Sequence, residues 1–473
     1  MQKELKMFIN GKWIAGKEYF EVRSPYDNSL AGKVPKASPE QVEEAILAAG
    51  DAFVQYSKVP AFKRSEVLKK TAELILKNSE ELAGLITSEN GKVIKESRGE
   101  VVRAAETFII ASEEAKRIHG ETITMDAVNG GGGRLAFTQR EPIGVIAAIT
   151  PYNAPLNLVA HKVAPALAAG NAVVLKPASA TPIIALRLAE LLDEAGLPKG
   201  VLNVVTGSSV VGEQIIKDKR IAMISFTGSY DVGMHIREVA GFKRYTFELG
   251  SNSAVIIDDD SLLDEAVSRC VTGAFSYAGQ VCISLQRIII HEDLEKKFLE
   301  KYIPKVEALK AGNPKDDTTD LSAMITSKDT ERVLSWIKEA KDKGAKILCG
   351  GTAEGNVIRP AVIKDVTPEM KVFTEEVFGP VVAVTAYKNF DDAIKLVNTS
   401  RYGINTGIYT KDIQKAMKAI PEIKSGAVIV NDVPTYRLDH MPYGGVKSSG
   451  FGREGVKYAI EEMTEMKLVI IKV

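Results

Sequence analysis

Apolar residues recur at the helical period through most of the first quarter of the chain. Ser38, Pro39 and Gln41 form a capping-box start with proline at the first helical position. Val42, Ala45, Ile46 and Ala49 follow at i, i+3, i+4 and i+7, one face of an amphipathic helix. Residues 63–78, 80–89 and 96–116 continue that rhythm. Ahead of them, residues 7–35 alternate and turn often (FINGKW, SPYDN), which predicts short strands. Between residues 120 and 140 the pattern changes. GETITMDA and RLAFTQRE have strand composition and enclose VNGGGG, so a hairpin with a long glycine turn is expected. Such an arm is marginal alone and leans on something else.

From Ile143 onward a strand, a loop and a helix repeat. GVIAAIT, NAVVLKP, VLNVVTG and IAMISFTG read as buried strands. Between and after them come a helix ending at Gly170, one starting at Thr181-Pro182 and stopping at Gly196, one over 209–217, and one from Ser229 to Ala240. This alternation predicts a parallel sheet with helices on both faces and leaves its strand order open. A second α/β run covers residues 253 to about 426, with strands SAVIID, RIIIH, KILCGG, VVAVTAY, GINTGIYT and AVIVN and helices over 261–277, 293–308 and 329–343. The closing MKLVIIKV is a strand apolar on both faces, which needs a partner or a cover.

Composition narrows the class. The 473 residues carry 61 Lys+Arg and 61 Asp+Glu, so the balance favours neither nucleic acid nor an anionic membrane as partner. Cys270, Cys282 and Cys349 cannot all pair and show no metal spacing, which fits a reducing cytoplasm and no bound metal. MQKELKMFINGKW has no apolar signal core, and the most apolar stretch, 162–175, is broken by Pro165 and Gly170.

Each candidate for chemistry has an ordinary reading beside it. Cys282 sits in GAFSYAGQVCIS, among small residues that let a ligand approach, and reads as a nucleophile or as core packing. Glu248 in FELG lies between apolar residues, as a general base with raised pKa or a structural carboxylate. Asn153 in ITPYN follows a strand and aims at an oxyanion or merely turns the chain. Lys176 in VLKPAS stands at a strand end, on a ribose or in solvent. SFTGSYDVG places Ser229 at a helix N-terminus, which offers free N–H groups to a phosphate. Glu376 lies in TEEVFGP, on its own an ordinary loop.

Taken in order, ITPYN, VLKPAS, FTGSYDVG, FELG, GQVC, EEVFGP and MPYGGVKSSGFGREG resemble the NAD(P)-dependent aldehyde dehydrogenase superfamily over essentially the whole chain. TYRLDHMPYGG is most similar to the lactaldehyde and non-phosphorylating glyceraldehyde-3-phosphate dehydrogenase branch. The resemblance implies an α/β fold with a Rossmann-like cofactor domain (1–118 and 139–249), a catalytic domain (250–445) and an oligomerisation arm (119–138 and 456–473) that builds a dimer or tetramer. It implies Cys282 as nucleophile, Glu248 as base for the deacylating water, and Asn153 with the Cys282 N–H as oxyanion hole, Lys176 completing the catalytic set. Lys176 is also implied at the adenosine ribose, Ser229 at the pyrophosphate, Glu376 at the nicotinamide ribose and Phe378 near the nicotinamide. The implied cofactor contacts further include Ile149, Thr150, Pro151, Tyr152, Pro177, Ser179, Gly207 and Gly212. Phe226, Thr227, Gly228, Val232, Leu249 and Gly250 complete them, together with Glu248 and Cys282.

NAD-preferring members usually carry Glu three positions after the ribose lysine. Here that residue is Ser179, which removes a repulsion against a 2′-phosphate, so NADP is the expected cofactor with NAD as the alternative. Tyr152 stands where many members have Trp. The expected reaction is oxidation of a small hydroxyaldehyde such as lactaldehyde or glyceraldehyde to the acid. Succinate semialdehyde or a broad range of aldehydes is the alternative substrate. A CoA-acylating enzyme fits less well because Glu248 is present, and a cofactor-free cysteine hydrolase needs a histidine base. Tyr436, Arg437 and His440, in the loop before MPYGG, either favour a hydroxylated or anionic aldehyde or face solvent or another subunit.

Overall fold

The capping box at Ser38 forms as the pattern requires. The Gln41 backbone N–H donates to the Ser38 hydroxyl at 3.3 Å, and the Ser38 N–H donates to the Gln41 side chain at 3.0 Å. Helix α1 (Pro39–Tyr56) starts there, and α2 (Ala61–Lys77), α3 (Ser79–Asn90) and α4 (Ile94–Glu114) follow. The structure is a computed structural model that describes residues 4–473; residues 1–3, the start of the stretch read for a signal core, lie outside the described residues.

The next elements are β1 (Arg134–Pro142), β2 (Val145–Ile149), α5 (Asn157–Ala169), β3 (Ala172–Lys176), α6 (Ile183–Glu194), β4 (Leu202–Val204), α7 (Ser209–Lys217), β5 (Ile221–Thr227), α8 (Tyr230–Val239) and β6 (Arg244–Glu248). Strands β4-β3-β2-β5-β6 pair in parallel in that order. Antiparallel edges close the sheet: Met7–Ile9 and Lys12–Ile14 beyond β4, Gly450–Phe451 beyond β6. The two-residue period assigns the faces. Ile146, Ala148, Val173 and Leu175 pack into one core with α5 and α6, while Val145, Ala147, Ala172 and Val174 pack into the other with α1 and α7. Chain order runs outward from β2 on one side and from β5 on the other. The crevice between their carboxyl ends is therefore a topological switch point, where open α/β sheets bind ligands.

A second sheet holds β7 (Ser253–Ile257), β8 (Leu285–His291), β9 (Val381–Tyr387), β10 (Asn405–Tyr409) and β11 (Ala427–Val430), in the parallel order β9-β8-β7-β10-β11. Ala361–Lys364 and Lys346–Cys349 extend it beyond β9. The helix expected over 261–277 is shorter. Helix α9 (Leu263–Phe275) stops before Tyr277 and Ala278, which leave the right-handed helical region and open a left-handed turn over 277–279.

The arm also differs from the expected hairpin. Only Thr122–Ile123 pairs with β1, because Met125–Ala127 coils into a 3-10 turn. The main partner of β1 is the C-terminal strand β12 (Thr464–Lys472), in antiparallel register from Thr464↔Pro142 to Lys472↔Arg134. A nine-residue β-branched and long-chain strand offers a full ladder; GETITMDA is interrupted by its turn after five residues. Among the described residues the other edge of β12 has no strand beside it, and Met466, Leu468, Ile470 and Ile471 are about half exposed. No described helix is long and apolar enough to cross a membrane.

Candidate active site

Parallel register brings the carboxyl ends of four strands level. Ile149 lies opposite Lys176 and opposite Phe226, and Thr227 lies opposite Glu248. Five of the residues singled out in the sequence thus sit at one end of one sheet for a reason that no local pattern contains.

Beyond β5 the chain turns at Gly228 into α8. The Ser229 hydroxyl accepts from the Val232 N–H at 3.4 Å, which leaves other first-turn N–H groups free for an anion. A Cβ on Gly228 would lie 2.4 Å from the Phe226 ring. Phe226 itself is buried, edge-on to Phe247 at 5.9 Å, so it supports this turn from the core instead of lining the crevice. Val232 faces solvent on the helix. Lys176 is buried, its Nζ donating only to its neighbour's carbonyl, Pro177 O, at 3.2 Å. Burial pulls its pKa down to about 8. Its chain runs past Gly212, where a Cβ would come within 3.2 Å of Lys176 Cδ. The Ser179 hydroxyl donates to Gly207 O at 2.7 Å. Lys176, Pro177, Ser179, Gly207 and Gly212 thus form one group beside the crevice.

A cavity of about 600 Å³ occupies the crevice and reaches Cys282. Of the predicted residues, Pro151, Tyr152, Asn153, Thr227, Gly228, Ser229, Leu249, Gly250, Cys282, Glu376 and Phe378 line it. Ile149, Thr150 and Val232 do not. Thr227 Oγ1 and Asn153 Oδ1 are buried with no partner. The Ser251 N–H donates to Glu376 Oε1 at 2.8 Å, and a Cβ on Gly250 would meet Glu376 Oε2 at 2.6 Å. Phe378, at φ +46°, stands edge-on to Tyr152 with ring centres 6.1 Å apart. A strand-end crevice with a free helix N-terminus, an undersupplied buried lysine and orphaned polar atoms fits a dinucleotide.

Cys282 is held by its loop. The Gln280 side chain donates to Tyr277 O and Ala323 O, and its oxygen accepts from the Ile325 N–H at 2.9 Å. Cys282 Sγ lies 2.8 Å from the Tyr443 hydroxyl. Burial pushes the thiol up to about 11, against the pull of Tyr443 and the Arg437 guanidinium. Its hydrogen bond goes to a tyrosine, not a histidine, so the hydrolase alternative lacks its base. Among the described residues no backbone carbonyl accepts from the Cys282 N–H.

Glu248, at the end of β6, is buried with neither carboxylate oxygen partnered. Burial raises its pKa well above the usual range, and the negative charge of Glu454 adds to that; Arg437, Lys162 and Arg453 oppose it. Glu454 faces the same burial, yet Lys162 at 2.8 Å, His161 and Arg437 hold it down at about 2. The buried pair therefore divides, with Glu454 pulled toward the ionised form by its cations and Glu248 pushed toward the protonated one by burial and by Glu454.

Sequence reasoning passed over this surrounding set. From the sequence Arg437 is a loop residue that selects substrates or faces solvent or another subunit; its guanidinium is buried 3.6 Å over the Tyr443 ring, 3.4 Å from His161 Nε2 and 3.6 Å from Glu454 Oε2. His161 in turn meets Asp439 at 2.7 Å, and Asp439 takes a bidentate pair from Arg103. Tyr436 does face solvent. Lys162 and Glu454 had no local signal: one lies in a helix buried all round, and they stand 292 residues apart. Tyr443 had one, its place in MPYGG, which served only to carry the resemblance.

A model described as the aldehyde dehydrogenase family matches residues 13–469. A 3-sulfolactaldehyde dehydrogenase of Priestia megaterium is 48% identical over 99% of this chain and 98% of that protein. The crystal structure of aldehyde dehydrogenase 21 from Physcomitrella patens, in complex with the reaction product succinate, superposes with a TM-score of 0.98 at 40% identity, over 100% of this chain and 99% of that one. Glyceraldehyde-3-phosphate dehydrogenase GapN from Methanocaldococcus jannaschii, complexed with NADP, gives 0.92 at 38% identity, over 97% of this chain and 100% of that one.

Proposed function

The chain belongs to the aldehyde dehydrogenase family, and from that membership and the geometry of the crevice we propose that it oxidises a small hydroxyaldehyde to the carboxylic acid with NADP as its preferred cofactor. The observation that carries this reading is the convergence of Cys282 and Asn153 on one cavity, with the unpartnered Glu248 at the neighbouring strand end.

In the proposed mechanism the Cys282 thiolate adds to the aldehyde carbon, and the carbonyl oxygen takes the negative charge of a thiohemiacetal. The Asn153 amide and the free Cys282 N–H donate to that oxyanion. A dinucleotide bound in the crevice would supply the hydride acceptor, and loss of hydride from the thiohemiacetal carbon would leave a thioester on Cys282. Glu248 then takes a proton from water, the hydroxide adds to the thioester, and the C–S bond breaks to release acid and thiolate. Water rather than CoA as acyl acceptor follows from Glu248. Lys176 would hold the adenosine ribose, the start of α8 at Ser229 the pyrophosphate, and Glu376 with Phe378 the nicotinamide end.

NADP is favoured because Ser179 leaves no carboxylate against a 2′-phosphate while Lys176 brings a cation to the same group. The hydroxyl of Ser179 is already used on Gly207 O, so its contribution is the missing charge, not a new bond. The relatives named above act on a sulfonated aldehyde, yield succinate, or act on a phosphorylated one. The buried Arg437 lies over the ring of Tyr443, whose hydroxyl meets Cys282, and this cation behind the nucleophile supports an anionic head group on the hydroxyaldehyde here as well. We further read residues 119–138 with 456–473 as an arm that joins copies of the chain, residues 1–118 and 139–249 as the cofactor domain, and 250–445 as the catalytic domain; the open edge of β12 supports the first of these.

A panel of lactaldehyde, glyceraldehyde, glyceraldehyde 3-phosphate, sulfolactaldehyde and succinate semialdehyde, each with NADP and NAD, tests the reading. The expected result is the highest kcat/KM with NADP on a hydroxylated, anionic aldehyde. A folded protein that turns over none of them overturns it, and preference for succinate semialdehyde replaces the substrate.

A further inference from the structure

Two helices beside the crevice begin without a cap of their own. Leu156 precedes α5 and Pro182 precedes α6, and neither supplies a side-chain acceptor; Thr181, expected to start α6, has an unpartnered hydroxyl. Their first N–H groups are taken by carboxylates from far away in the chain. Leu156 N and Asn157 N donate to Glu100 Oε1 at 2.8 and 3.2 Å. Ile183 N and Ile184 N donate to the two oxygens of Glu89 at 2.9 and 3.1 Å. Both carboxylates are buried, where a helix N-terminus is a favourable partner for an anion. The loops that run into these helices carry Asn153 and Ser179.

The same stretch holds the nucleophile's loop. The Tyr277 N–H donates to both oxygens of Glu96, at 3.2 and 3.0 Å. The Tyr277 hydroxyl donates to Asn90 O at 2.8 Å, and Asn90 Nδ2 reaches Tyr152 O at 3.3 Å. Lys92, ion-paired with Glu100, lies 4.9 Å over the Tyr277 ring. The junction of α3 and α4 therefore ties together the loops of Asn153, Ser179 and Cys282 without lining the cavity itself.

The backbone at Tyr277 shows what that tie accomplishes. Tyr277, Ala278 and Gly279 have φ of +46°, +51° and +70°, three consecutive left-handed residues of which two carry a Cβ. Only glycine enters this region freely, and other residues stay there when their surroundings over-determine them. Gly279 is itself obligatory, since a Cβ would lie 2.2 Å from Gly379 O. The run ends three residues before Cys282.

We propose that Glu96 and Tyr277 are positioning residues for the nucleophile: they hold the left-handed turn 277–279 and thereby set Cys282 Sγ and its N–H against Asn153. Neither residue lines the cavity. The proposal rests on the dehydrogenase reading for its purpose, so its test needs a readout that does not require turnover.

That readout is the rate of Cys282 alkylation by iodoacetamide, followed peptide by peptide by mass spectrometry so that Cys270 and Cys349 are counted apart. It is paired with kcat and cofactor KM, all well below the unfolding temperature. Glu96→Ala is expected to slow alkylation and kcat each about tenfold, with cofactor KM within about twofold. Adding Ala278→Gly to Glu96→Ala is expected to restore about a third or more of the parent rate, because glycine adopts the left-handed turn without the anchor. Loss of general stability has no reason to be repaired in alkylation rate by that one glycine. Tyr277→Phe, which removes a single hydroxyl, is expected to cost about threefold in both rates and to be rescued in the same way; it decides the matter if Glu96→Ala does not fold. Parent-like alkylation in folded Glu96→Ala or Tyr277→Phe, or no rescue by glycine, overturns the proposal. If the parent oxidises no aldehyde while alkylation follows this pattern, the proposed function fails and the positioning role stands.

Discussion

Replacing Asn153 by alanine separates catalysis from folding more cleanly than any other change at this site. The Asn153 side chain lines the cavity beside Cys282, and its Oδ1 makes no hydrogen bond. Truncation therefore breaks no contact of that oxygen and leaves no partner stranded, so the loss of stability should not exceed about 1 kcal/mol, the centre of the range for single substitutions. The transition state is another matter. One of two oxyanion donors disappears while the Cys282 N–H remains, and loss of one such donor costs about 2.7–4 kcal/mol of barrier. At about 1.36 kcal/mol per decade, kcat should fall roughly 100- to 900-fold. The defect lies in the first chemical step, so a rapid-mixing trace at 340 nm should show the initial formation of reduced cofactor slowed together with the steady state, with cofactor KM unchanged. Calorimetry on the same samples checks the fold. A kcat within about threefold of the parent in a protein of unchanged Tm would falsify the oxyanion assignment.

Glu248→Gln should behave in the opposite manner: one rapid turnover of reduced cofactor, then a steady rate lower by about 100-fold, since general-base catalysis contributes about that much; full steady turnover removes Glu248 from the base role. Tyr443→Phe should move the midpoint of Cys282 alkylation upward in pH, because burial already holds the thiol at about 11 and the tyrosine hydroxyl pulls it down; a midpoint that stays or falls contradicts this. Ser179→Glu should lower kcat/KM for NADP about tenfold or more relative to NAD, given roughly 4 kcal/mol per unit charge pair at 4 Å before solvent screening; an unchanged ratio means that the 2′-phosphate does not lie there. Truncation before Met466 should weaken self-association, with sedimentation velocity as the check, and an assembly of unchanged size rules the arm out as the joint.

Much of the architecture is local and was legible for that reason. The Ser38 capping box, the strand–helix alternation from Ile143 and the glycine stop at Gly170 each depend on neighbours a few residues away, and each formed as read. The short runs that hold Cys282, Glu248, Asn153 and Lys176 could be picked out as candidates because each is a local pattern. Where the reading failed, the deciding partner was remote. GETITMDA has strand composition, but β12 made the longer ladder with β1. The helix read from Thr181-Pro182 does form, but its first N–H groups go to Glu89, a partner that no local pattern shows.

The sequence by itself determined the elements, their alternation and which residue types stand ready for chemistry. Only the tertiary structure decided how they are charged and held. Whether Glu248 is a base or a buried strut turns on Glu454, Lys162 and Arg437, which surround it from three separate stretches of the chain. Whether Cys282 is poised depends on Tyr443 from beyond β11 and on Glu96 from α4. Propensity and periodicity act over a few residues along the backbone, whereas dielectric, ion pairing and the support of a left-handed turn act through space. Register among parallel strands is what converts the one into the other, by bringing Ile149, Lys176, Thr227 and Glu248 to the same edge.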